Sequence, residues 1–132
     1  MPDEVRVVDP RTGGQKGNKI QRFDLIPTRP LEAIAEVYGK GARKYADRNW
    51  EKGYKWGLSF AAMMRHAWAF WRGEEYDNHK ADCPPECVQH TECPHMACVA
   101  WHAIALLEFS RTHPELDDRS PNGQLGTVPV QK

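Results

Sequence analysis

Apolar residues recur at helical spacing in three stretches of this chain. From Pro30 to about Ala46, the residues Leu31, Ile34, Ala35, Tyr38, Ala42 and Tyr45 repeat every three or four positions, the mark of one buried stripe. Pro30 suits a first helical turn, and Thr28 stands near the N-cap position. Gly39 and Gly41 weaken this helix and imply a close backbone neighbour or a bend. A second helix is expected from Leu58 or Ser59 to Gly73. Phe60, Met63, Met64, Ala67, Trp68 and Trp71 form its broad apolar face, with His66 and Phe70 beside it. A third runs from about Pro94 to Thr112, carrying Val99, Ala100, Ala103, Ile104, Leu106 and Leu107. No strand-like alternation exceeds four residues, and there is no internal repeat or heptad array. The expected fold is an all-α bundle of about three main helices, with a core small enough to point to completion by homo-oligomerisation.

Two loops separate the helices. "DRNWEKGYKWG", residues 47–57, holds two tryptophans, and residues 77–94 hold four cysteines and a Pro-Pro pair. Loops of this length in a compact domain are often functional. Residues 1–18 combine glycine, proline and charge without periodicity and read as an extended arm. Residues 19–112 form the expected all-α domain, and 113–132 a loose tail.

Charge and composition narrow the function. Lysine plus arginine balances aspartate plus glutamate at 18 each among 132 residues. That argues against a protein whose main task is coating nucleic acid, but leaves room for a local basic pocket. No run of 18 apolar residues suggests a membrane span, and the polar start lacks the apolar core of a secretory signal. A cytoplasmic protein is therefore expected, in which clustered cysteines are metal ligands or reduced thiols rather than a disulfide scaffold.

The carboxylates offer the first candidate chemistry. Glu32 and Glu36 are four apart on the first helix and share a face. Glu74 and Asp77 are three apart and share a face if the second helix continues. Two such pairs suit hard divalent cations, Mg²⁺ or Mn²⁺, which can bridge polyphosphate oxygens. A plainer reading stands beside it: a Glu36–Lys40 salt pair and solvated acids after a helix end. Lys40, Arg43, Lys44 and Arg65, with Lys19 and Arg22, would suit a triphosphate. Phe23, Trp50 and Trp56 could stack on a base, although packing is the commoner use of tryptophan. "RTGGQKGNK" lacks the spacing of a phosphate-binding P-loop, and neither GxSxG nor an HD pair occurs.

The segment "CPPECVQHTECPHMAC" brings thiols and imidazoles together, which suits tetrahedral Zn²⁺. Cys83, Cys87 and Cys93 are its candidate structural ligands, with His90, His95 or Cys98 as a fourth partner, His95 being the expected one. The plainer reading is reduced cysteines or a local disulfide. His95, Cys98 and His102 also lie at i, i+3 and i+7. They share a helical face that could look into the same site as His66, although histidines on apolar faces are more often satisfied core residues.

Taken in order, "RFDLIPTRPLEAIAEVYGKGARKYADRNW", "RHAWAFWRGEEYD" and "HMACVAWHAIALLEF" resemble the phage dATP/dGTP diphosphohydrolase domain, over roughly residues 19–112. They are similar to the MazZ enzymes of phages that replace adenine with 2-aminoadenine. The resemblance implies the all-α, MazG-like nucleoside triphosphate pyrophosphohydrolase fold. It implies cleavage of a purine (deoxy)nucleoside triphosphate, chiefly dGTP or GTP, to monophosphate and pyrophosphate, feeding synthesis of the modified purine. Matching positions are Arg22, Asp24, Glu32, Lys44, Tyr45, Asn49, Trp50, Arg65, His66, Gly73, Glu74, Asp77 and His95. The superfamily's EExxE motif is absent, Glu32 with Glu36 being the nearest feature. Cys98 and His102 stand where relatives often carry His and Asn, and the cysteine segment looks like an insertion.

On this basis Glu32, Glu36, Glu74, Asp77 and His66 are the expected ligands of Mg²⁺ or Mn²⁺. Glu32, Glu74, Lys44 and Arg65 are the expected catalytic residues. Lys19, Arg22, Phe23, Asp24, Lys44, Asn49 and Trp50 are the expected substrate contacts. The rival reading is a non-enzymatic, zinc-stabilised interaction module.

Overall fold

The computed structural model describes residues 4–120, which fall into two compact units, one ending at Leu31 and one beginning at Glu32. Where the pattern of residues 1–18 suggested an extended arm, the N-terminal unit holds an antiparallel hairpin. Strands β1 (Val5–Val8) and β2 (Gln15–Asn18) pair with Val5 opposite Asn18 and Val8 opposite Gln15. Asp9 closes the turn: its Oδ1 accepts the N–H groups of Arg11 and Thr12 at 2.8 and 3.0 Å. Gly13, at φ +75°, donates to the Asp9 carbonyl. The glycines of "RTGGQKGNK" thus serve a turn and a strand. Phe23–Leu25 form a short 3-10 turn after it.

Helix α1 spans Thr28–Lys44, α2 Trp56–Trp71 and α3 His95–Thr112. All three expected helices are present, each within about two residues of its expected bounds. No helix among the described residues is long and apolar enough to cross a membrane. Helix α2 ends by a capping motif that its sequence encodes. Gly73, at φ +101°, lets its own N–H reach Phe70 O and the Glu74 N–H reach Ala69 O, at 2.9 and 3.0 Å. This is the six-to-one, five-to-two pairing of a glycine C-cap, and it turns the chain sharply away from the helix axis.

The buried faces differ from the expected ones. Helices α2 and α3 pack through small and polar side chains: Ser59 and Ala69 from α2, His95, Cys98 and Ala105 from α3, with Phe109 at the far end. Trp68 and Trp71, expected on the apolar face of α2, point outward, Trp71 being 77% exposed. The physical reason is distance: small residues let the two helix backbones approach closely, which leaves no room for indoles between them. On α1 the buried residue is Val37. It joins Cys93, Ala97 and Cys98 in a core flanked by Ala33, Ile34 and Trp101.

The segment expected to be a loose tail from residue 113 is partly ordered. Pro114–Leu116 form a 3-10 turn. The Trp56 indole N–H donates to His113 O at 3.0 Å, and Asp118 Oδ1 accepts the Gly57 N–H at 2.8 Å. Residues 121–132 lie outside the described residues.

Candidate functional site

The turn at Gly73 delivers the acids that follow it to the flank of the α2–α3 pair. A short lattice of backbone bonds then pins the two ends of the 77–94 loop together. Asp77 N–H donates to Cys93 O, Glu92 N–H to Asp77 O (both 2.8 Å), and His95 N–H to Glu75 O at 2.9 Å. Tyr76 and Pro94 form an isolated bridge beside them. The Asp77 side chain is buried, and its Oδ2 accepts both the Thr91 N–H at 2.7 Å and the Thr91 hydroxyl at 3.0 Å. Two charge-assisted bonds to one oxygen fix the carboxylate.

Asp77, His66 and His95 come together, each offering a donor atom within 4.8 Å of the others. His66 Nδ1 lies 2.9 Å from His95 Nδ1. His95 Nε2 is buried without a hydrogen-bond partner, and Glu74 Oε1 stands 3.9 Å from it. A buried, unpartnered imidazole nitrogen costs about 1–3 kcal/mol unless something binds it, so the cluster has unused donor capacity. Burial depresses the His66 pKa, against the opposing pull of Asp77. Burial likewise brings His102 down to about 4, with the charges of His66 and Arg65 adding to it. Both imidazoles are therefore held neutral, the form that can ligate a metal. Behind them, His102 Nδ1, Ser59 Oγ and Tyr54 OH form a hydrogen-bonded chain at 3.0 and 2.6 Å.

Two clefts adjoin this cluster. One, of about 510 Å³, has Lys40, Arg43 and Lys44 of α1 on its rim and His66, Cys98 and His102 among its lining. The other, of about 460 Å³, is lined by Tyr38, Asn49, Trp50, Tyr54 and Trp101. Gly41, Tyr45, Trp101 and His102 belong to both. The aromatic walls are braced by edge and tilted contacts, Tyr38–Trp101 at 5.8 Å, Trp50–Trp101 at 6.0 Å and Tyr54–Phe109 at 5.1 Å. A basic cleft continuous with an aromatic one can hold a flat ring at one end and an anionic chain at the other.

The expected site residues distribute unevenly. Lys44 lines the basic cleft, while Asn49 and Trp50 line the aromatic one. His66 and Asp77 meet in the cluster, and their partner is His95, the expected zinc ligand. Glu74 stays at the edge, held by Lys80 at 3.2 Å and Arg72 at 3.3 Å, and Lys80 chiefly lowers its pKa. Glu32 and Glu36 are exposed on α1 and do not belong to the cluster. The Glu36–Lys40 salt pair does not form; Lys40 Nζ instead donates to Thr91 O at 2.6 Å. Arg65 is exposed on α2. Lys19, Arg22, Phe23 and Asp24 belong to the N-terminal unit. There Arg22 and Asp24 pair with each other through two bonds of 2.9 and 2.7 Å, and Phe23 is exposed.

The cysteines group differently from the expected set of Cys83, Cys87, Cys93 and His95. Cys83 and Cys87 lie with His79 and His90, all four donor atoms within 4.8 Å of one another. Cys93 is instead fully buried in the α1–α3 core, and His95 faces His66. The reason is the pinned loop base: the Asp77–Thr91–Cys93 bonds draw Cys93 inward, away from the loop tip. Burial raises the Cys98 thiol to about 11 and also pushes the Cys93 thiol above its ordinary value, so both pack as small apolar groups. His79 was not foreseen. The spacing His79-x3-Cys83-x3-Cys87-x2-His90 was the available signal.

Three helices around a small, partly polar core make this an all-α bundle of the MazG-like type. The chain belongs to the family described as dATP/dGTP diphosphohydrolase, N-terminal, whose model matches residues 10–119. The family's name carries hydrolysis of purine deoxynucleotides and a role in nucleotide metabolism. No curated protein and no solved structure matches the chain.

Proposed function

We propose that this protein cleaves a purine deoxynucleoside triphosphate, chiefly dGTP, to the monophosphate and pyrophosphate. The observation that carries the reading is the pair of clefts sharing Gly41, Tyr45, Trp101 and His102. The base stacks among Tyr45, Trp50 and Trp101, with Asn49 at its edge. The triphosphate lies toward Arg43 and Lys44, whose charges match its own. Arg65 adds positive charge from α2.

The donor set of Asp77, His66 and His95, with the orphaned His95 Nε2 and Glu74 close by, suits a divalent cation. Two imidazoles in the set favour Mn²⁺ over Mg²⁺, which prefers oxygen ligands alone. When bound, such an ion supplies charge neutralisation at the phosphates and acidifies a water molecule. The chain's own part is alignment. Thr91 fixes Asp77, and the Gly73 turn positions Glu74, the carboxylate beside the cluster that orients the attacking water and its proton.

Phe60, Trp68, Trp71, Ile104 and Leu107 are exposed on α2 and α3, which supports assembly of copies of this chain into a homo-oligomer. The resemblance to phage enzymes supports action in the cytoplasm of an infected bacterium, with the monophosphate feeding 2-aminoadenine nucleotide synthesis.

A nucleotide panel with Mn²⁺ or Mg²⁺, resolved by chromatography, tests the proposal. Monophosphate plus pyrophosphate from dGTP is the expected result. Diphosphate plus phosphate would place the cut at the wrong bond. Glu74→Gln should abolish hydrolysis with the fold intact, whereas Glu32→Gln, at an exposed carboxylate outside the cluster, should not; full activity in Glu74→Gln would remove that carboxylate from the mechanism.

A further inference from the structure

The 77–94 loop has no apolar core of its own. Val88, its one aliphatic side chain of any size, is 64% exposed. Its base is pinned by backbone bonds between Asp77 and Glu92–Cys93. Its tip brings two thiols and two imidazoles together. Tight turns aim them at one point: Cys83 N–H donates to Lys80 O and Cys87 N–H to Pro84 O, both at 3.0 Å.

We propose that His79, Cys83, Cys87 and His90 hold one tetrahedral zinc ion that fixes this loop. The distances fit. Zn–S bonds near 2.3 Å and Zn–N bonds near 2.0 Å at tetrahedral angles put sulfur and nitrogen roughly 3.5 Å apart. Cys83 Sγ and Cys87 Sγ each lie 3.4 Å from His90 Nδ1. The surroundings fit as well. The Lys80 backbone N–H donates to Cys83 Sγ at 3.2 Å, the kind of outer contact that supports a ligating thiolate. Glu92 Oε2 stands 4.0 Å from His79 Nε2, a carboxylate within reach of a ligand imidazole. Four protein donors of this type leave no position for substrate, so the ion is structural.

Its consequence reaches the clefts. His79, Cys87 and His90 line the basic cleft together with Thr91, whose bonds hold Asp77. Zinc would therefore set one wall of that cleft and, through the loop, the position of Asp77. The proposal does not depend on the hydrolase reading, because metal content and nucleotide turnover are separate readouts.

The experiment uses the full chain, purified under reducing conditions and equilibrated with zinc, then with Co²⁺. One zinc per chain by elemental analysis is expected, with the visible bands of tetrahedral Co²⁺ and sulfur-to-cobalt charge transfer after exchange. Cys83→Ser and Cys87→Ser should lose both signals, and Cys98→Ala, at a thiol outside the cluster, should keep them. Circular dichroism checks that each variant is folded. A folded wild-type chain without zinc or the charge-transfer band overturns the proposal. So does a band that survives both serine variants, or a Cys83–Cys87 disulfide in the metal-equilibrated protein. For serine variants that do not fold, the wild-type cobalt spectrum decides by itself.

Discussion

His66 and His95 meet nitrogen to nitrogen, Nδ1 to Nδ1 at 2.9 Å. One of the two must accept, so the pair holds at most three of its four possible protons. Asp77, fixed by Thr91, completes the group. Thr91→Val removes one of the two bonds to Asp77 Oδ2 and keeps the backbone one. Loss of such an outer partner typically costs about 10–100-fold in metal affinity. Titration of activity with Mn²⁺ should show a midpoint shifted by roughly tenfold, with turnover at saturating metal near that of the wild type. An unchanged midpoint would mean that the Thr91 hydroxyl bond does not support metal binding at Asp77.

Tyr45 is exposed and lines both clefts, with Lys44 Nζ 5.0 Å above its ring. It makes no ring contact with Trp50 or Trp101, so its removal should leave the fold intact. Base–aromatic stacking is worth about 1–3 kcal/mol. Tyr45→Ala should therefore raise KM for dGTP roughly fivefold or more, with kcat little changed. Equal KM values would place the base elsewhere.

His102 connects stability to pH. Its burial holds its pKa near 4, below the ordinary 6.5. The unfolded chain takes up this proton first, so the contribution is fully present above about pH 6.5 and is lost as pH falls toward 4. After discounting for partial exposure, its size is on the order of 2 kcal/mol. Chemical denaturation at pH 7.5 and pH 5 should show the loss in the wild type and a smaller one in His102→Gln. An equal slope in both would assign the pH dependence to other groups.

Two glycines with positive φ should respond differently to alanine. Gly53, at φ +93° and ψ 150°, occupies a region almost restricted to glycine, and a Cβ there would lie 2.9 Å from the His113 ring. Gly73, at φ +101°, has nothing within 4 Å of the same position. Gly73→Ala carries backbone strain alone, about 1–2 kcal/mol. Gly53→Ala adds displacement of His113, which accepts from Trp56 through its carbonyl oxygen, for a total of about 3 kcal/mol. Thermal unfolding should rank the two in that order, and the reverse order would mean that the His113 contact is not maintained.

The three helices were legible in the sequence because a period of 3.6 is local: it needs only the order of residues along one element. The stop at Gly73 was equally local, since only glycine adopts its backbone angle freely. The alignment of His95, Cys98 and His102 also followed from spacing. Which side of α2 was inside did not follow. Trp68 and Trp71 are more hydrophobic than Ser59 and His66, yet they lie outside, because close approach of two helices selects small side chains. The hairpin of residues 5–18 was missed because its strands are four residues long and exposed on both faces, which leaves no alternation to read.

The sequence by itself determined the helices, their main punctuation, the family resemblance and the supply of acids, imidazoles and thiols. Only the tertiary structure decided the groupings. It put Asp77 with His66 and His95 rather than with Glu32 and Glu36, and Cys83 and Cys87 with His79 and His90 rather than with Cys93 and His95. Ligand sets are relations in space between residues on different elements. They depend on a loop base that a few hydrogen bonds close, and spacing along the chain does not record those bonds.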